Sequence, residues 1–177
     1  MKPLAIVVLM LAASMAQAQQ PPQPYSGQQA REIKSLSAHE IDDLLAGRGM
    51  ATAKAAELNR YPGPAHVLEL KDRLGLTPEQ EKRTRAIHAG MQSRASVAGR
   101  RVVDAERALD EAFAKGTVDE MGLTTQVRET GLLLAEFRLT HLAAHIEMKA
   151  LLSLEQIARY DELRGYAGGS SHRAGKH

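Results

Sequence analysis

An all-α fold, built on one long antiparallel helical hairpin with short helices before and after it, is predicted by three features of this 177-residue chain. From Pro78 to Lys115 no further proline interrupts, and Met91, Ala95, Ala98, Val102, Ala105, Leu109 and Ala112 recur in steps of three and four. That spacing lays small and apolar side chains along one face of a single long helix. A second run of helical period extends from Val118 to about Leu151, separated from the first by little more than Gly116, so the two helices must fold back on each other. Aromatic residues make up only 3% of the chain and Trp is absent, while Ala and Leu abound. Such side chains suit thin helix-on-helix packing better than a sandwich or barrel.

Taken in order, residues 1–18 read as a signal peptide: Lys2, an apolar run from Leu4 to Ala13, and the small-x-small site Ala16-Gln17-Ala18. The apolar run is about half the roughly 20 residues that a membrane span needs, so stable membrane insertion is not expected. The absence of Cys argues against a lipid anchor and leaves an exported chain to fold without disulfides. Cleavage after Ala18 removes Lys2 and lowers the net charge from +2 to +1, which favours no class of charged partner.

Residues 19–35, opening with Gln19-Gln20-Pro21-Pro22, read as a flexible leader. A helical domain is expected over 36–166 and a disordered tail over 167–177, rich in Gly, Ser and His. Ser37 with Glu40 has capping-box spacing and opens a short helix that Gly47 and Gly49 close. Further short helices are expected from Met50 to Leu58 and from Ala65 to Leu74, the second stopped by Gly75. Thr77 with Gln80, Thr117 with Glu120, and Ser153 with Gln156 repeat the capping-box spacing and start the two long helices and a last short one from Leu154 to about Leu163. Pro78 suits the first helical position, where no N–H is needed.

On the second long helix, Leu123, Val127, Thr130, Leu134, Phe137, His141, Ala144, Met148 and Leu151 form one stripe. Leu132, Ala135, Leu139, Leu142 and Ile146 form another beside it. One partner helix cannot cover so wide an apolar arc, so this helix must meet further elements, a second subunit or a client.

The phrases Leu76-Thr77-Pro78-Glu79-Gln80 and Leu152-Ser153-Leu154-Glu155-Gln156 bracket the hairpin. Behind a signal peptide, this pair resembles the LTxxQ family of bacterial periplasmic stress proteins, the Spy/CpxP-like chaperones with their metal-linked relatives ZraP and CnrX. The resemblance covers roughly Leu36 to Tyr166. It implies a periplasmic, cradle-shaped homodimer of the envelope stress response whose basic and apolar concave face holds unfolded or misfolded proteins without ATP. It also implies that Leu76, Thr77, Gln80, Leu152, Ser153 and Gln156 fix the fold, and that a sensor kinase or anti-sigma partner is a further possibility.

Three groups of residues are candidates for function. A basic stretch, Lys82, Arg83, Arg85, Arg94, Arg100 and Arg101, runs along the first long helix with no acid between positions 82 and 103. Beside an apolar seam, such residues make either a solvated face or a surface that holds apolar segments while attracting acidic ones. Arg94, Arg100, Arg101, Leu134 and Phe137 are the candidate client contacts. The second group is His141 and His145, one helical turn apart. Antiparallel pairing about Gly116 brings His88 and Met91 opposite them, and His88, Met91, His141, His145 and Met148 would suit zinc, copper or nickel. Read as structure alone, these histidines belong to a helix interface. The third group, Met50, Met91, Met121 and Met148, serves equally as pliable binding surface or as core filling.

The leading expectation is a chaperone needing no cofactor; the alternative is a heavy-metal sensor or resistance protein binding a divalent transition metal through His141 and His145. No Gly-rich phosphate loop, activated nucleophile or His-Glu-x-x-His motif is present, so the chain is not expected to be an enzyme. Export and near-zero net charge disfavour nucleic acid binding.

Overall fold

The computed structural model describes residues 23–167, and the expected signal peptide and nearly all of the expected tail lie outside them. The chain is all-α: α1 (Ala38–Leu45), α2 (Lys54–Glu57), α3 (Pro64–Glu69), α4 (Lys71–Leu74), α5 (Pro78–Ala114), α6 (Glu120–Leu151) and α7 (Leu154–Leu163), with no strand among the described residues. None of these helices is long and apolar enough to cross a membrane.

α5 and α6 form the hairpin. Capping boxes are present at Ser37, Thr77 and Ser153, each hydroxyl accepting from the third helical N–H while that residue's side chain takes the cap's own N–H. The expected box at Thr117 is not. Gly116 takes a left-handed φ of 63°, and the Thr117 N–H donates to Ala112 O at 3.0 Å, closing α5 in a Schellman motif. With Thr117 committed to ending one helix, Asp119 caps the next by accepting from the Gly122 N–H at 2.6 Å, so α6 starts at Glu120.

The N-terminal segments lie on one face of the hairpin, α1 and α3 against α5 and α2 against α6. The first core cluster joins Ile33 and Leu44 to Ala95, Ala98, Val102 and Val103 of α5 and Leu133 and Phe137 of α6. Gly99 permits this docking, because a Cβ there would stand 2.0 Å from the Leu44 carbonyl oxygen. Ile33 is fully buried, and Lys34 and Ser35 hydrogen-bond Asp110 and Glu106. The expected flexible leader therefore ends well before residue 35, its last residues pinned by one apolar anchor. The second cluster, Val67, Leu74, Met148, Leu152, Ile157 and Tyr160, ties α3, α4 and α7 to the open end of the hairpin.

Two expected helices are shorter than the sequence suggests. Met50 and Ala51 adopt left-handed backbone, φ 45° and 62°, so helix begins only at Lys54. The segment from Ala65 to Leu74 is broken at Leu70 (φ −101°, ψ 9°) into α3 and α4.

Candidate functional site

On α6 the apolar arc divides between two environments. Thr130, Leu133, Phe137, His141, Ala144, His145 and Met148 are buried against α5 and the N-terminal layer. Leu132, Leu139 and Ile146 are 73%, 65% and 61% exposed, joined by Ala135 at the same side. At about 100° per residue Leu132 and Leu139 stand roughly opposite His141. On α5, Val97, 62% exposed, lies away from Gly99 and Val103, which α1 covers. The uncovered face of the hairpin thus carries apolar side chains from both long helices.

Arg94 and Arg101 lie within about 20° of each other on the α5 wheel and border this face, whereas Arg100 is about 100° further round and points to the outer edge. The basic stretch is not one surface. Arg101 is also paired, its guanidinium 2.9 Å from Glu136 across the hairpin, and Asp104 and Glu129 line the same shallow groove. Leu134 is 45% exposed but lies nearer the covered side; Phe137, at 1%, is core and cannot touch a client while the chain is folded. Its ring stacks edge-on to His141 with centroids 4.9 Å apart.

The covered face holds a cavity of about 480 Å³ between the residue 47–66 segment and the hairpin. His88, Met91, His141 and His145 all line it, as antiparallel pairing about Gly116 predicts. Met148 does not; it is fully buried among Val67, Ile157 and Tyr160. No three His, Asp or Glu side chains among the described residues stand close enough to hold a metal ion together. Nε2 of His141 is buried without a partner among the described residues, and burial, then the neighbouring His145, depresses this imidazole's pKa below its ordinary value.

Beside the histidines stands a polar network absent from the sequence reading. Oε1 of Glu57 accepts from the Tyr160 hydroxyl and, at 3.3 Å, from the Tyr166 hydroxyl, with His66 Nδ1 also 3.3 Å away and Arg164 Nε 3.6 Å away. Burial favours the protonated carboxyl, but the bonds from His66 and Tyr160 outweigh it, and Glu57 stays below the usual carboxylate range. Burial, then the bond to Glu57, drives the Tyr160 phenol far above its ordinary pKa. His145 Nδ1 donates to the Tyr61 carbonyl at 2.7 Å, and Lys149 covers the Tyr61 ring at 3.7 Å. Since a carbonyl only accepts, the neutral His145 ring keeps its lone pair on Nε2.

At the open end of the hairpin the two motif glutamines meet. Leu76 packs against the second core cluster and Leu152 belongs to it. No family model, curated protein or solved structure matches this chain.

Proposed function

We propose that the chain is a periplasmic stress-response protein of LTxxQ type, an ATP-independent chaperone that holds unfolded clients on the uncovered face of its helical hairpin. The observation that supports this most is the exposure of Val97, Leu132, Leu139 and Ile146 on a structured two-helix surface, bordered by Arg94 and Arg101. Large apolar side chains gathered on one face mark docking sites more often than such residues scattered singly. Weak, spread contacts of this kind suit clients without defined shape, and the guanidinium groups add attraction for acidic segments. Asp104, Glu129 and Glu136 make the face mixed in charge rather than uniformly basic, so the apolar contacts dominate. The proposed working unit is a homodimer. A photo-crosslinker at Leu139 should capture a chemically denatured enzyme, while one at Glu69 on the covered side should not; equal capture at both would count against the reading.

A heavy-metal sensor or resistance role is the second reading. Its support is the gathering of His88, Met91, His141 and His145 on one cavity. Three imidazoles and a thioether from facing helices suit copper, nickel or zinc better than calcium.

A further inference from the structure

The same cavity holds two acceptors side by side, one on Glu57 and one on His145. Among the described residues Oε2 of Glu57 is buried without a hydrogen-bond partner; His145 Nδ1 stands 3.7 Å away and is already committed to Tyr61. With the Nδ1 proton given to the Tyr61 carbonyl, His145 Nε2 is the acceptor of that tautomer. Both look onto Gly63, where a Cβ would lie 3.2 Å from Glu57 Oε2 and 3.3 Å from His145 Nε2. A glycine there lets the backbone pass close to the pair without filling the space before it.

We infer that this cavity binds a protonated primary amine carried on a small apolar body, its ammonium seated between Glu57 Oε2 and His145 Nε2. Two acceptors, one of them anionic, call for a cationic donor, and an unpaired buried carboxylate oxygen is costly until one arrives. An ammonium needs only two or three acceptors in loose geometry, whereas a transition metal needs about three or four ligands at close range. Met50, Met91, Pro64 and Ala65 line the rest of the cavity and suit an alkyl or aryl body. Two of the three non-glycine residues with left-handed backbone among those described, Met50 and Ala51, lie in its wall. Backbone strain of this kind collects at segments that clamp a ligand.

Titration calorimetry of residues 19–177 in EDTA tests this with butylammonium, butyltrimethylammonium and butyrate. Butylammonium should bind, and the other two, lacking N–H donors or the positive charge, should bind about tenfold more weakly or worse. Absence of butylammonium binding, or equal binding of the trimethyl compound, overturns the inference. Glu57→Gln should erase the preference. Because that variant also removes the centre of the Tyr160–His66 network and can unfold the chain, the comparison on the unaltered protein decides alone. EDTA separates the result from metal binding, and neither outcome depends on client holding at the opposite face.

Discussion

Gln80 and Gln156 hydrogen-bond each other through both amides, the Gln80 side chain donating to Gln156 at 2.9 Å and receiving the return bond at 3.0 Å. Each glutamine closes its own capping box, Gln80 from the Thr77 N–H and Gln156 from the Ser153 N–H. Their remaining donor capacity goes to the Leu151 carbonyl from Gln80 and to the Leu74 and Gly75 carbonyls from Gln156. The start of α5, the end of α6 and the start of α7 are thereby locked in one network. A repeated motif that looks like two independent helix starts is one joint.

Thr77→Ala and Ser153→Ala should each cost about 0.5–2 kcal/mol by removing a cap. The glutamines should be coupled. Gln80→Ala and Gln156→Ala each remove the same reciprocal pair of bonds, so the double variant should be less destabilised than the two single losses added, with a coupling of about 0.5–3 kcal/mol in urea unfolding. Strict additivity would show that the joint does not act as a unit.

The caps at Ser37, Thr77 and Ser153 and the turn at Gly116 were legible because each depends on contacts within a few residues. Thr117 misled because its spacing to Glu120 fits a cap as well as Asp119 does; only the closure of α5 at Ala112 decides between them. Along α6, a wheel drawn from Leu123 admits Leu134 and misses Leu133, because Leu123 is itself only half-buried and sits off the centre of the buried stripe; Leu133 is the buried one. The pairing of His88 and Met91 with His141 and His145 was readable from the hairpin register. The Glu57 network was not, as its members come from α2, α3, α7 and Arg164 and Tyr166 beyond it, brought together only by tertiary packing.

Stability should fall in mild acid through His141. Its folded-state pKa lies below the ordinary 6.5, so between those values the unfolded chain takes a proton that the folded chain refuses. The contribution is complete above about pH 6.5 and is lost as pH drops toward the folded value, with a slope of up to about 1.4 kcal/mol per pH unit. Melting temperature in EDTA between pH 7.5 and 5.5 should decline, and His141→Leu should flatten part of that decline. An unchanged profile in the variant would place the acid sensitivity elsewhere.

If the cavity histidines take a transition metal, zinc, copper or nickel should raise the melting temperature at neutral pH and lose affinity steeply below about pH 6. His141→Ala with His145→Ala should abolish the shift, while loss of His172 and His177 should leave it intact. A shift that disappears with the tail histidines alone would assign the metal to them.

The central claim is that the uncovered face of α5 and α6 holds unfolded protein, and light scattering by a chemically denatured enzyme tests it most directly. A few-fold excess of the chain should suppress aggregation without ATP. Leu132→Ser with Leu139→Ser should weaken suppression strongly, and Arg94→Glu with Arg101→Glu moderately, with helicity by circular dichroism unchanged in both. If the unaltered chain fails to suppress aggregation of several such substrates, or the Leu132/Leu139 variant suppresses it as well as the unaltered chain, the face is not a client surface.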